Sequence, residues 1–351
     1  MMKQMRISIA LLLSALLFLT GCAQKGDQAK ETAAQSETVR SQTEENQTQP
    51  ENQSQPENQT QPEAQSGSKA QGEGPITFTD MNGREITLEK PADRIVALTA
   101  SDCEILYALG AGDTLVGRGE YCNWPEEVLD VPSVQSGENT NVEQIIALQP
   151  QVLLMSAMAQ TDEQIEALEN AGIQVVVSYA QDIEGVYEAI SMIGTAMGKN
   201  DEADVLITEM KDTFAQIQED SAGDGSETIY FEVSPLEYGL WAAGSDTFMD
   251  EVAQMLGLTN VFADMEGWGE VSEEQVIQRA PDYIVTIAMY YGEGQTPVEE
   301  ITSRSGWENI PAIKNGKLLN LQNDELSRPG PRLKDGAEML YDFVYGGERD
   351  N

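Results

Sequence analysis

From residue 76 onwards the hydrophobic pattern switches repeatedly between a period of two and a period near 3.6. Ile76 to Leu88 alternates on either side of Asn82-Gly83, a strong hairpin signal. Arg94-Ile95-Val96-Ala97-Leu98 reads as a short buried strand, and Ser101 to Leu109 as a helix stopped by Gly110 and Gly112. Val116-Gly117 resumes as strand. Val142 to Leu148 is helical, Val152-Leu153-Leu154-Met155 a strand, Thr161 to Ala171 helical and Val175-Val176-Val177 a strand. Asp182 to Glu219 then keeps helical periodicity, broken at Gly198-Lys199-Asn200, with no strand signal inside it. Alternation restarts with a strand at Ile229 to Val233, helices at Thr247 to Leu256 and Glu273 to Arg279, and a strand at Tyr283 to Thr286.

Apolar strand runs separated by helices predict an α/β fold with mostly parallel central sheets and flanking helices. The length exceeds that of a typical single domain, so two lobes are expected: 76–181, a helical spacer 182–220, and 221–351.

Residues 1–75 carry no such pattern. Lys3 and Arg6 precede an apolar run, Ile7 to Leu19, too short to span a bilayer as a stable helix, which predicts a signal peptide over 1–21. Its ending, Leu19-Thr20-Gly21-Cys22, resembles the bacterial lipobox, which implies cleavage before Cys22 and lipid attachment to it. Residues 22–75 are Gln, Glu, Asn, Ser and Thr with one hexad written three times between Glu45 and Pro62, and such a segment cannot bury a core. It reads as a tether. The chain is therefore expected to be exported and lipid-anchored at the outer face of the cell membrane, or on the periplasmic side of a two-membrane envelope.

Charge narrows the function. A formal net charge of −40 argues against nucleic acid as partner, and the absence of histidine removes imidazole catalysis and histidine ligation of zinc or haem. Solubility accounts for most of the negative charge. No nucleophile elbow, phosphate loop or zinc-spaced cluster is present, so no enzyme is expected and no cofactor beyond a ligand carrying its own metal. Cys103 and Cys122 can form a disulfide or pack as two buried thiols.

One segment recurs. The block Val142-Glu143-Gln144-Ile145-Ile146-Ala147-Leu148-Gln149-Pro150, running on into Val152-Leu153-Leu154, is echoed 131 residues later by Glu273-Glu274-Gln275-Val276-Ile277-Gln278-Arg279-Ala280-Pro281 and Tyr283-Ile284-Val285. Each copy is a capped helix, a proline turn and a buried strand, with Asn141 and Gln144 matching Ser272 and Gln275 at the caps. Glu143 and Glu274 thus occupy the same place in equivalent helices.

Together with Arg94 to Leu98, Glu104-Ile105-Leu106-Tyr107-Ala108-Leu109-Gly110-Ala111-Gly112-Asp113 and Val116-Gly117, this block resembles bacterial ABC-transporter substrate-binding proteins of the cobalamin and iron-siderophore class. The resemblance covers Ile76 to about Gly346. It implies two α/β lobes joined by a long inter-lobe helix, a ligand in the cleft between them, a monomer, and a permease dimer as partner. It also gives Glu143 and Glu274 a role, docking into basic pockets on that dimer; the plainer alternative is that each complements its helix dipole.

Tyr121-Cys122-Asn123-Trp124-Pro125 and Asp324 to Arg332 look most like the cobalamin-binding branch. This implies ligand contacts from Tyr121, Trp124, Trp268, Asp324 and Arg328, whose plainer readings are core packing and a surface ion pair. Gly137-Glu138-Asn139-Thr140 stands where an aromatic is expected for that branch, which leaves room for a siderophore or another corrinoid. An anionic siderophore would want several cations in the cleft, and the loops assigned to it offer chiefly Arg118, Arg328 and Arg332. Haem held by Tyr121 is a further reading, and a surface adhesin or sensor without a small ligand is the alternative of another class.

Overall fold

The computed structural model describes residues 74–156, 161–290, 292–321 and 324–346. The signal segment, Cys22 and the tether up to residue 73 lie outside them. No helix among the described residues is long and apolar enough to cross a membrane.

The first lobe opens with strands β1 (Ile76–Thr79) and β2 (Glu85–Leu88), paired antiparallel with Thr79 opposite Glu85. Asp80 fixes their connection. Its carboxylate accepts from the backbone of Asn82 and Arg84, from the Arg84 guanidinium and, on the next sheet, from the Val177 amide. That sheet contains β3 (Ile95–Ala97), β4 (Leu115–Gly119), β5 (Ser133–Val134), β6 (Val152–Met155) and β7 (Gln174–Val177), in the order β5-β4-β3-β6-β7 and parallel throughout. Helices α1 (Ala100–Ala108), α2 (Val142–Leu148) and α3 (Asp162–Asn170) supply crossovers. Both sheet faces are covered, so β6 is buried at every residue: Leu153 and Met155 enter one core cluster, Val152 and Leu154 the other.

The spacer is two helices, α4 (Ile183–Met197) and α5 (Asn200–Asp220), separated where Gly198 turns left-handed at φ 65°. Of the 15 residues of α4, 11 are buried, which makes it a core helix of the first lobe. Contacts between Ala203 and Gly194, and between Lys211 and Tyr187, show α5 running back along α4. At about 31 Å for 21 residues, α5 is long enough to reach from one lobe to the other. It also packs against the second-lobe helices Phe248–Met255 and Leu333–Tyr345, so α5 is the element that crosses.

The second lobe holds β8 (Thr228–Ser234), β9 (Trp241–Ala243), β10 (Thr259–Asn260), β11 (Trp268–Glu270), β12 (Tyr283–Thr286) and β13 (Leu318–Asn320). The order is β11-β9-β8-β12-β13, with β10 beside the start of β8, and β9 alone among them runs against β8. Around it lie α6 (Phe248–Met255), α7 (Glu273–Arg279), α8 (Pro297–Ser303), α9 (Pro311–Asn315) and α10 (Leu333–Tyr345).

The sequence echo is a structural one. Helices α2 and α7 are both 7 residues long, and both end on a non-glycine left-handed residue before the proline, Gln149 at φ 50° and Ala280 at φ 47°. Strands β6 and β12 follow at the same interval. Only the α7 cap closes into a full capping box; in α2 the Gln144 amide donates to the Ser133 carbonyl, which ties the helix to β5.

A buried charge cluster anchors the second lobe. Arg304, with a side chain 2% exposed, donates to both oxygens of Glu232 and to Glu300, and its guanidinium lies 4.5 Å from the Trp307 ring centroid. Burial pushes the Glu232 carboxyl up from its ordinary value, and only Arg304 opposes this. Replacing one member leaves an uncompensated buried charge. Arg304→Ala should therefore lower the unfolding free energy by about 3–5 kcal/mol in urea titrations, whereas the paired change Glu232→Gln with Arg304→Met should recover most of that loss.

Candidate functional site

In both sheets the carboxyl ends of the parallel strands point to one edge, where connecting loops leave the sheet and ligands are held in folds of this kind. In the first lobe these ends feed Thr99 to Ser101, Ser156 and Ser178 to Gln181; in the second, β13 leads to Ser327-Arg328-Pro329. Together they line a cleft of about 250 Å³ between the lobes. Its polar lining is mostly uncharged: the hydroxyls of Thr99, Ser101, Ser156, Ser178 and Ser327, the Tyr179 phenol and the Gln181 amide, with Arg328 as its one charged residue among those described.

Arg328 crosses the lobe boundary. Nη1 donates to Glu104 Oε1 at 2.9 Å and Asn123 Oδ1 at 2.8 Å, and Nη2 to the Tyr121 carbonyl at 3.2 Å. Nη2 also pairs with Asp324 Oδ2 at 2.5 Å. Asp324 sits at φ 72°, a left-handed position that aspartate tolerates better than most residues, and its carbonyl accepts from the amides of Ser327 and Arg328 to shape this turn. Arg332 joins the network: Nε and Nη2 donate to Glu104, Nη1 to Glu325, and its guanidinium stacks 4.8 Å from the Trp124 ring. Asp324 and Arg328 are thus an ion pair as the plainer reading has it, but one embedded in an inter-lobe network at the cleft.

Several large apolar side chains are left in solvent on other loops that leave the carboxyl ends of the strands. Tyr121 is 74% exposed and Trp124 49% on the loop after β4; Tyr238 at 75% and Trp241 at 42% flank the turn after β8; Met289, half exposed, follows β12. Trp268 is half buried at the start of β11, its indole N–H donating to Gln181 Oε1 at 3.1 Å and its ring 5.2 Å from Phe248. Trp268 therefore meets the cleft-lining Gln181 from the second lobe. Tyr238, Trp241 and Met289 were not selected from the sequence; their signal is an aromatic or methionine just past a predicted strand end, which only the fold places on the cleft edge. No aromatic occupies 137–140, and Thr140 there is buried.

Arg118 serves the protein rather than the cleft. Its Nη1 donates to the carbonyls of Gly119 and Cys122 and so holds the Tyr121 loop, while Nε finds no partner among the described residues. Cys103 and Cys122 are free and fully buried, so the disulfide left open by the sequence is not formed. Both thiols point at the Ala97 carbonyl, at 3.8 and 3.9 Å, and pack as small apolar groups that seat the loop on α1. The adjacent Cys122 thiol and burial hold the Cys103 thiol well above its ordinary range, so Cys103 is not a poised nucleophile.

Beneath the cleft floor lies Asp102, buried in α1. It accepts from the Thr99 hydroxyl through Oδ2, and Oδ1 has no partner among the described residues. Burial raises its carboxyl from 3.8 to about 6, against the hydroxyls of Thr99 and Ser178 that favour the charged form.

A second hollow, of about 730 Å³, is walled by α1, by residues 124–131 and by Pro331-Arg332, and shares no lining residue with the cleft. It carries four carboxylates, Glu104, Asp113, Glu127 and Asp130, and it is this hollow, not the cleft, that Trp124 and Arg332 line. Glu143 and Glu274 are exposed in the first turns of α2 and α7. The Glu274 carboxyl is held below its ordinary value by its own backbone N–H and the Ser272 hydroxyl.

Comparison with known proteins decides the family. A family model described as periplasmic binding protein matches residues 95–325. A Bacillus subtilis protein named an uncharacterized ABC transporter substrate-binding lipoprotein, YvrC, is 35% identical over 277 residues, covering 77% of this chain and 86% of the relative. The chain belongs to the periplasmic binding protein family. It is a substrate-binding protein of ABC-transporter type. A vitamin B12-binding protein of Photorhabdus laumondii is 27% identical over 248 residues, 70% of this chain and 86% of that protein. A solved structure from Staphylococcus epidermidis, described as a possible iron-binding (periplasmic solute-binding) protein, is 30% identical with a TM-score of 0.62, covering 73% of this chain and 100% of that one. In the binding protein described here, the matched region ends at residue 325, just short of Arg328 and Arg332.

The buried Asp102 makes a pH test available. Because its folded pKa lies above the unfolded one, folding favours the protonated form, and stability from this group falls as pH rises from about 4 to about 6. Relative to Asp102→Asn, the wild type should lose on the order of 2–3 kcal/mol across that window and nothing further above it, as read from urea unfolding at stepped pH.

Proposed function

We propose that this binding protein captures a corrinoid of the cobalamin type and delivers it to an ABC permease from the outer face of the membrane, where lipid on Cys22 holds it. One observation carries the reading: exposed Tyr121, Tyr238 and Trp241 stand on loops at the carboxyl ends of the strands, the edge that also bears a floor of hydroxyls and the Gln181 amide. A large flat ligand fringed with neutral amides needs apolar walls and a few placed polar groups, and brings its own cobalt. Arg328 and Arg332 are already paired with carboxylates, which disfavours a polyanionic ferric siderophore. The similarity to vitamin B12-binding proteins supports the same choice. The second reading is haem, favoured by the exposure of Tyr121 as an axial oxygen donor.

Isothermal titration with cyanocobalamin, a ferric siderophore and hemin in parallel tests this. Saturable one-to-one cobalamin binding, weakened about 10–100-fold in Tyr121→Ala and in Trp241→Ala, is the expected result. Heat with hemin or the siderophore alone would replace the ligand and keep the carrier; silence with all three would favour a surface adhesin or sensor.

The matched helices α2 and α7 support permease docking through Glu143 and Glu274. A two-fold partner presents the same basic socket twice, and each glutamate shares its helix face with an isoleucine three residues on, Ile146 or Ile277. Glu143→Arg with Glu274→Arg should abolish ligand uptake in reconstituted transport while cleft affinity stays within about twofold.

A further inference from the structure

Glu104 is the least exposed member of the inter-lobe network. Its side chain is 2% exposed, on a first-lobe helix, yet both guanidinium groups that it accepts from belong to the second lobe. Oε1 takes Arg328 Nη1 at 2.9 Å and Arg332 Nη2 at 2.8 Å, and Oε2 takes Arg332 Nε at 3.0 Å. The same Arg328 nitrogen holds Asn123, and Arg332 stacks on Trp124, so the two guanidinium groups that Glu104 orients also hold the loop carrying Tyr121.

We infer that Glu104 is the specificity-determining and positioning residue of the cleft. It neutralises the two arginines from the first lobe, of which Arg328 lines the cleft, and thereby makes the site select uncharged ligands over anionic ones of the same shape. The charge balance supports this. Two guanidinium groups face three carboxylates, Glu104, Asp324 and Glu325, all within ion-pair distance, so the network offers an incoming anion no net positive charge. Removing the Glu104 charge leaves two arginines against Asp324 and Glu325, and both arginines lose their one charged first-lobe partner among the described residues. In a partly dehydrated site such a change acts strongly on a ligand charge nearby.

The inference rests on the corrinoid reading for its choice of probes, and the test separates the two. The purified full chain, wild type and Glu104→Gln, is titrated with cyanocobalamin and with a cobalamin monocarboxylic acid, in which one peripheral amide is replaced by a carboxylate. Wild type should prefer the neutral compound, and Glu104→Gln should shift the affinity ratio about tenfold toward the acid, an effect reduced by salt. An unchanged ratio overturns the proposal, because a merely structural glutamate would weaken both compounds alike. Hydrogen exchange of the unliganded proteins is measured in parallel. Residues 120–124 and 325–332 should exchange about tenfold faster in Glu104→Gln, with α2 and α7 unchanged. If wild type binds neither compound, the corrinoid reading fails, and equal exchange in both segments would then sink the role of Glu104 as well.

Discussion

One hydrophobic core runs through both lobes. It starts on the underside of the first sheet at Ile95, Ala97 and Leu154, passes along α4 and the buried stripe Ala203, Met210, Phe214 and Ile217 of α5, and continues into Ile229, Phe231, Val285 and Leu340 of the second lobe. Because interiors pack like solids, a shared core of this kind resists hinge motion and leaves the facing strand ends at a nearly fixed separation. The cleft, its loops and helices α2 and α7 all inherit their positions from it.

Charge placement follows the same division. A chain with a net charge of −40 has few cations to bury, yet Arg304, Arg328 and Arg332 all lie inside carboxylate networks. Arg304 belongs to the core of one lobe; the other two close a gap between lobes. Buried pairs contribute less to stability than their Coulomb attraction suggests, since desolvation offsets it, but they penalise any arrangement that separates them. Around the cleft this fixes one relation between the Tyr121 loop and the Arg328 turn. Exposed aromatic side chains, Tyr121, Tyr238 and Trp241, stand on loops at this edge, unlike an ordinary acidic surface.

The first lobe and the repeat were legible because their signals are local. Val142 to Leu148 and Glu273 to Arg279 have the bounds predicted for them, and Gly198 breaks the spacer where the pattern does. Strands β9, β10, β11 and β13 were not, being 2 or 3 residues long, too short for a period of two to register. The short Pro297–Ser303 and Pro311–Asn315 helices escaped for a similar reason. Of the site, Tyr121, Trp124, Trp268, Asp324 and Arg328 were named through family resemblance, while Tyr238, Trp241 and Glu104 were not.

By itself the sequence determined the α/β alternation and the equivalent helix positions of Glu143 and Glu274, because each depends on spacing within a few residues or on a direct internal echo. Tertiary structure alone decided that Cys103 and Cys122 remain thiols, that Arg118 braces a loop instead of lining the cleft, and that Glu104, 224 positions before Arg328, is its partner. Those outcomes rest on distances between strands and helices that meet only after the chain has folded, and no periodicity along the sequence encodes them.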